Sequence, residues 1–329
     1  MKKSILSFLL CLCVAGLPSC IKDDHHEKDC EDEYRTYQTK FIKGSTNNKL
    51  EILDWGGNGK PILFLTGLGN TAHVFFDFAP KFTNKFHVYV MSRRGYGASE
   101  QTANGYGVDT LARDILAVTN ALQLNKVILI GHSIAGEEIS KFASSYPDRV
   151  DKVVYLDAAY DRTGLAYFNS NLPAYPEPVA ADFSSFSSVK NFLARTMGVS
   201  VPDQELKHSI VFSNDGSYQR HVTPESIDAL IREGVQQPNY KNIKCPALAI
   251  YAVPSSLTQL FPFYASLDAE NKKRADISYM IFDKYAKEQR ETFTREVKNG
   301  TEKGIKGANH YVFISHPVET EKYIREFLD

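Results

Sequence analysis

The chain contains few cysteines and almost no excess of charge of either sign. Its 329 residues include five cysteines, and 38 basic and 39 acidic side chains leave a formal net charge of -1. A balanced charge excludes binding to nucleic acid or anionic membrane through bulk electrostatics. Cys30 lies in an acidic leader and Cys245 precedes an apolar run, so no disulfide framework is predicted.

Long hydrophobic runs are also missing, because the apolar stretch from Ile5 to Leu17 is too short to span a bilayer. It follows Lys2-Lys3, which predicts a signal peptide over residues 1–19. The next motif, "LPSC", resembles a bacterial lipobox, in which cleavage before the cysteine leaves Cys20 carrying a lipid. The alternative is an ordinary signal peptide that is cut elsewhere. The resemblance implies an exported protein that is lipid-anchored in the bacterial cell envelope.

Residues 20–35 are acidic and show no apolar periodicity, which predicts a disordered tether. An acidic run after a lipidated cysteine resembles the surface-export signal of Bacteroidetes lipoproteins, which implies the outer-membrane surface. His25, His26, Asp29 and Cys30 are potential metal ligands, but a solvated leader is the better interpretation. We therefore predict no metal site.

The rest of the chain alternates short apolar runs with amphipathic stretches and contains no internal repeat. The apolar runs are typical of strands that are buried on both faces. They are "PILFLT", "HVYVMS", "KVILIG", "KVVYLD" and "ALAIYAV". Amphipathic stretches at Thr110 to Leu122 and Ile134 to Tyr146 have the length of crossover helices. This pattern predicts a doubly wound, mostly parallel α/β sheet over residues 36–160 and 243–329. A mainly helical lid is predicted over residues 161–242.

Ser133 lies where an apolar strand gives way to a helix, in the run "GHSIAG". This run resembles the nucleophile elbow of the α/β-hydrolase superfamily, usually written G-x-S-x-G. Ala135 stands where that motif has its second glycine, and Gly136 follows one place later. The alternative is a serine that merely caps a helix.

The resemblance extends to the C-terminal run "KGANHYVFISHP", which is similar to the catalytic histidine loop of the same superfamily. It implies that His310 is the general base. His316 is the nearby competitor, but it precedes Pro317 at a predicted helix start and is interpreted as a surface residue.

Two backbone amides are implied as the oxyanion hole. The first belongs to Ile134, which follows the serine, and the second to Leu68 in "FLTGLGNTAHVF". Thr66 stands where many relatives have histidine, a change that leaves a backbone donor intact. The alternative for this segment is a plain glycine turn.

The acid is the least defined member, because no carboxylate follows the strand "ALAIYAV" until Asp268. Some lipases place their acid at the end of the preceding strand, and Asp157 occupies that position, about two dozen residues after Ser133. We predict Asp157 as the acid that orients the histidine. A purely structural role for Asp157 stays open, and Asp161 is the alternative acid.

Taken together, these motifs resemble a serine hydrolase with a lid and imply an eight-stranded sheet. The implied reaction is hydrolysis of a carboxylic ester or related acyl bond through an acyl-enzyme on Ser133. The substrate would be a small ester-type molecule, without nucleic acid, metal or organic cofactor. Two alternatives stay open. One is a surface binding protein on a degenerate hydrolase scaffold, which the missing acid after the strand "ALAIYAV" suggests, and the other is a lyase that uses the same triad. Substrate identity and oligomeric state do not follow from the sequence.

Overall fold

The computed structural model describes residues 36–329, and all structural statements below concern this part of the chain. The predicted signal peptide, the acidic tether and Cys20 lie outside the described residues. Residues Thr36–Asp329 form one unit. Within it, no helix has both the length and the apolar character that a membrane crossing requires.

Eight strands form one central sheet, which is the architecture that the sequence predicts. They are β1 (Gln38–Lys43), β2 (Lys49–Gly56), β3 (Lys60–Leu65), β4 (Phe86–Met91), β5 (Val127–His132), β6 (Val150–Leu156), β9 (Ala247–Val253) and β10 (Gly300–Lys306). Two shorter strands, β7 (Ile210–Phe212) and β8 (Tyr218–His221), form a separate antiparallel hairpin. The order in the main sheet is β1-β2-β4-β3-β5-β6-β9-β10. β2 pairs antiparallel with both of its neighbours, β1 and β4, and all other neighbouring strands in this sheet are parallel.

The inner strands are buried on both faces, which explains their continuous apolar sequences. Along β5, Val127 and Leu129 belong to one core cluster, whereas Ile128 and Ile130 belong to the cluster on the opposite face. Side chains alternate between faces along a strand, so a run without polar residues supplies both cores at once. The predicted α/β class is therefore confirmed.

Ten α-helices accompany these strands in the described residues. They are α1 (Val108–Ala121), α2 (Ala135–Ser145), α3 (Ala166–Asn171), α4 (Phe186–Met197), α5 (Asp203–Ser209), α6 (Glu225–Glu233), α7 (Leu257–Leu260), α8 (Ala269–Glu296), α9 (Val312–Ser315) and α10 (Pro317–Leu328). Helices α1 and α2 cover one face of the sheet, and α10 packs on the other. The two predicted crossover helices agree with α1 and α2 to within two residues at each end.

Residues 161–242 lie between β6 and β9 and are here named the insert. The insert contains helices α3 to α6 and the β7-β8 hairpin. Part of it has a small core of its own around Val189, Val201, Leu206 and Ile210. Its helical content agrees with the predicted lid segment, whose function as a lid stays a prediction.

Gly136 in the first turn of α2 lies against the chain that follows β6. A Cβ atom at Gly136 would lie 2.0 Å from the carbonyl oxygen of Ala158, far inside van der Waals contact. The glycine one place after the expected motif position therefore permits this contact. It brings the start of α2 close to the segment that begins with Asp157.

We predict that Gly136→Ala destabilises the protein by about 1–3 kcal/mol or more, because backbone must shift to admit the methyl group. Urea unfolding would measure the loss. Gly164→Ala is the matched control, since a Cβ at Gly164 would meet no heavy atom within 4 Å. Equal stability of the Gly136→Ala variant and the control would contradict this account of the helix packing.

Candidate active site

Ser133 lies in the tight turn between the end of β5 and the start of α2. Its φ is 54°, in the left-handed region that side chains other than glycine rarely adopt. The Ser133 N–H donates to the carbonyl oxygen of Leu156 at 3.2 Å, which ties the turn to the neighbouring strand β6. A strained serine at the carboxyl end of a parallel strand is the geometry that the predicted nucleophile elbow requires.

Asp157 and His310 meet directly, although 153 positions separate them in the chain. The Nδ1 atom of His310 is 2.6 Å from Oδ2 of Asp157. The other oxygen, Oδ1, accepts from the Tyr160 hydroxyl at 2.7 Å and from the Ala252 N–H at 3.0 Å. The carboxylate is buried, with its side chain only 4% exposed. Its orientation is therefore fixed on both oxygens.

Asp161, the alternative acid, is used elsewhere. Its Oδ1 accepts from the N–H of Thr163 at 3.1 Å and from the Thr163 hydroxyl at 2.5 Å, which caps the short turn at Arg162–Gly164. The carboxylate against His310 is that of Asp157. His316, the competing base, contacts the Ser315 hydroxyl at 3.2 Å and begins α10.

His132, the residue before the serine, connects the elbow to the histidine loop. Its Nε2 lies 3.1 Å from the carbonyl oxygen of His310. Burial holds the pKa of His132 well below its ordinary value, so the ring is neutral. A carbonyl oxygen only accepts, and Nε2 must therefore carry the proton. This hydrogen bond positions the backbone of His310, a contact that the sequence analysis did not anticipate.

The loop after β3 lies against His132 and Ser133. A Cβ at Gly67 would lie 2.7 Å from Nδ1 of His132 and 3.2 Å from Cβ of Ser133, so only glycine permits this approach. Leu68 packs in one apolar cluster with Ile134. Within residues 36–329, no backbone carbonyl outside regular helices and strands accepts from the N–H of Leu68 or Ile134. The role of these two N–H groups as oxyanion donors stays a prediction.

Arg93 fixes the loop after β3 through hydrogen bonds to its backbone. Its side chain is 2% exposed and donates to the carbonyl oxygens of Thr66, at 2.6 Å, and Gly67, at 3.2 Å. Its Nε donates at 2.5 Å to Glu138 on α2, which is equally buried. The arginine therefore joins the loop of Leu68 to the helix that follows Ser133.

A second hydrogen-bond network joins the insert to the loop after β3 and to the loop that carries His310. Glu205 on α5 accepts from the N–H and the hydroxyl of Thr71, the latter at 2.6 Å, and from Nδ2 of Asn70 at 3.2 Å. The Oδ1 of Asn70 accepts from the Tyr311 hydroxyl at 3.1 Å, beside His310. Complete burial raises the pKa of Glu205 to about 7.

Ser133, Asp157 and His310 line one cavity of about 430 Å³. Its walls come mainly from apolar and aromatic side chains of the insert, of the segment after β9 and of α8. They include Leu165, Phe168, Leu172, Tyr175, Met197, Leu260, Phe261, Phe263, Phe282 and Tyr285. The site is therefore a concave, largely apolar chamber with a few polar groups at its base, as small-molecule sites are.

Comparisons with known proteins agree with this architecture. A family model described as the alpha/beta hydrolase fold matches residues 60–209. The 2-(acetamidomethylene)succinate hydrolase of Mesorhizobium japonicum is 24% identical over 285 residues, which are 83% of this chain and 89% of that protein. A crystal structure of E-2-(acetamidomethylene)succinate hydrolase aligns with a TM-score of 0.65 at 19% identity, covering 89% of this chain and 100% of the other. The chain has the α/β-hydrolase fold.

Relatives that match a shorter part of the chain agree with this fold. A non-heme chloroperoxidase of Streptomyces lividans is 36% identical over 120 residues, which are 36% of this chain and 44% of that protein. The match spans less than half of that relative, so its activity is not carried over. The comparisons support placement in the α/β-hydrolase superfamily, as the sequence motifs predict.

The aromatic side chains of the insert divide between two environments. Phe168 and Tyr175 line the cavity. Phe183, Phe186 and Phe212 instead pack against the core of the insert. Walls from α8 were missed because that helix is mainly polar, and its few cavity-facing aromatics carry no local signal. Arg162 also lines the cavity. It was missed because nothing in its neighbouring sequence indicates that it faces a cavity.

We predict that Arg93→Met destabilises the fold by about 3–5 kcal/mol, because the Glu138 carboxylate would stay buried without its partner. The double variant Arg93→Met/Glu138→Leu is expected to lose less stability in urea unfolding, since it removes both charges of the pair and leaves neither of them unpaired. Lys60→Met removes an exposed pair with Asp151 and should cost less than about 1 kcal/mol. A double variant that is less stable than Arg93→Met alone would contradict this account.

Proposed function

We propose that the protein is a serine hydrolase that cleaves a carboxylic ester or a related acyl bond through an acyl-enzyme on Ser133. One observation carries the proposal. The strained serine shares a cavity with His310, whose Nδ1 is held 2.6 Å from the buried carboxylate of Asp157. Histidine oriented in this way by a carboxylate is the base that a serine nucleophile needs.

The proposed reaction begins with proton transfer from the Ser133 hydroxyl to Nε2 of His310 while Oγ attacks the acyl carbon. Nδ1–H donates to Asp157, which leaves Nε2 as the acceptor and stabilises the imidazolium that forms. His310 then returns the proton to the departing alcohol or amine as the acyl–heteroatom bond breaks. Water adds to the acyl-enzyme by the same steps, which releases the acid and restores the serine.

The former carbonyl oxygen becomes negatively charged when serine adds and again when water adds. Both steps need hydrogen-bond donors to stabilise that charge. The backbone N–H groups of Leu68 and Ile134 are proposed for this role. Ile134 follows the serine, Leu68 packs in the same apolar cluster, and no loop or turn carbonyl in residues 36–329 accepts from either N–H. Arg93 would act as a positioning residue for the Leu68 amide through the carbonyl groups of Thr66 and Gly67. These steps use the chain's own groups and call for no metal or organic cofactor.

The insert is proposed to act as a lid over this chamber. It supplies Phe168 and Tyr175 to the walls and contacts the loop after β3 through Glu205. A chamber of about 430 Å³ with mainly apolar walls suits an organic acyl group of moderate size. The relatives are named for different reactions, so neither the leaving group nor the acyl chain is transferred from them.

Labelling with a fluorophosphonate probe, followed by assays with a panel of acyl esters, thioesters, amides and lactones, tests the proposal. We expect wild-type protein to be labelled and Ser133→Ala to be unlabelled. Asp157→Asn should lower kcat by about 10⁴-fold, since the amide cannot hold the required imidazole tautomer.

Asp161→Asn is the matched control, because it changes the same functional group four positions away without touching His310. Its turnover should stay close to wild type. Absence of labelling at Ser133 would reject the hydrolase and favour a binding protein on this scaffold. Labelling combined with cleavage of a cyanohydrin, rather than of any ester, would favour the lyase.

We also propose that the exported protein is held in a bacterial cell envelope by a lipid on Cys20, which lies outside the described residues. The lipobox-like "LPSC" supports this proposal. In a bacterial host grown with an alkyne fatty acid, the full chain should be labelled and sediment with membranes. Cys20→Ala should lose the label, whereas Cys30→Ala should retain it. Labelling that survives Cys20→Ala would contradict the anchor.

A further inference from the structure

The cavity contains one arginine among its mainly apolar walls. Of the described residues that line it, Arg162 is the only arginine or lysine. Its side chain is 12% exposed, so the guanidinium is largely withdrawn from bulk water. A charge in such surroundings acts more strongly on a bound ligand than a surface charge does.

One edge of the guanidinium is occupied by the protein. Nη1 donates to the carbonyl oxygens of Ala158, at 3.2 Å, and of Tyr160, at 3.4 Å. In residues 36–329, Nε and Nη2 have no hydrogen-bond partner, and neither is among the fully buried unpartnered atoms. The edge formed by these two nitrogens is therefore held in place and open.

The same edge binds carboxylates elsewhere in this protein. Arg94 donates from Nε and Nη2 to the two oxygens of Asp114, at 2.7 and 2.8 Å. Arg290 contacts Glu302 in the same manner, at 2.5 and 2.8 Å. Two parallel N–H groups match the two oxygens of a carboxylate, which is why this pairing recurs.

The nearest carboxyl group does not close this edge. Oε1 of Glu137 lies 3.6 Å from Nη1 of Arg162, beyond hydrogen-bonding distance and on the edge that is already occupied. Burial raises the pKa of Glu137 to about 7, so it compensates the arginine only in part near neutral pH. Asp157 is committed to His310, Tyr160 and Ala252.

We propose that Arg162 binds a free carboxylate of the substrate, at a distance from the bond that Ser133 attacks. The substrate class is then an acyl compound with a second, ionised carboxyl group, such as a monoester or monoamide of a dicarboxylic acid. This inference rests on the proposed hydrolase function and adds a specificity-determining residue to it. Its geometric basis is that Arg162 lines the Ser133 cavity and has an open Nε–Nη2 edge.

Two substrates that differ only in this charge test the inference. They are 4-nitrophenyl hydrogen adipate and methyl 4-nitrophenyl adipate, assayed with the full chain after subtraction of spontaneous hydrolysis. The measured quantity is the ratio of kcat/KM for the charged ester to that for the neutral ester. We expect wild type to prefer the charged ester and Arg162→Gln to lower the ratio by about 10- to 100-fold. Arg162→Lys should fall between them, because it keeps the charge and loses the fork.

Two further variants test whether Arg162 binds the substrate carboxylate or only supports the backbone after Asp157. Arg274→Gln removes an arginine that donates to the backbone of Leu172 and Ser170, and it should leave the ratio unchanged. Glu137→Gln removes the competing carboxyl group and should raise the ratio. If Arg162 only braced the chain after Asp157, its loss would slow both esters equally and leave the ratio unaltered.

The result that overturns the inference is a wild-type ratio at or below one, or a ratio that Arg162→Gln does not change. Fluorophosphonate labelling of the same samples keeps the two proposals apart. Labelled Ser133 with no preference for the charged ester rejects the carboxylate site alone. Unlabelled Ser133 in wild type rejects the hydrolase on which the inference rests.

Discussion

The hydrogen bond between Asp157 and His310 is the contact on which the candidate site depends. It joins the end of β6 to the loop after β10, and both groups must arrive at one point above the sheet. β9 lies between those strands, and its Ala252 N–H donates to the same carboxylate. The order of parallel strands therefore sets the geometry. Because each of these strands is buried on both faces, the sheet offers a rigid base for the contact.

Around this contact, buried polar groups hold the loops in register with one another. His132 fixes the backbone of His310, Arg93 fixes the loop of Leu68, and Glu205 connects that loop to the insert. Each of these side chains is buried, so its hydrogen bonds compete little with water and are costly to break. The loops that carry function are thus positioned by side chains that do no chemistry in the proposed reaction. Asn70, between Glu205 and Tyr311, makes the insert part of this arrangement.

Prediction from sequence worked best where the signal was local. The strand "ALAIYAV" was predicted with the bounds that the structure has, and the final helix begins at Pro317 as predicted. Periodicity and buried apolar runs determine such elements residue by residue. The long helix α8, with its polar surface, was not predicted, and neither was its contribution to the cavity. The distribution of insert aromatics between its own core and the cavity was likewise beyond reach, because both environments select the same residue types.

The sequence by itself determined the α/β class, the turn at Ser133 and the short list of polar residues around it, because each depends on neighbours within a few positions. Only the tertiary structure shows which of the two aspartates contacts His310, since it places Asp157 against that ring and leaves Asp161 to cap a turn. It also decided that Arg162 lines the cavity and that its Nη1 atom donates to the backbone beside Asp157. The physical reason is that hydrogen-bond partners far apart in the chain are selected by strand order and close packing, neither of which is written in any single stretch of residues.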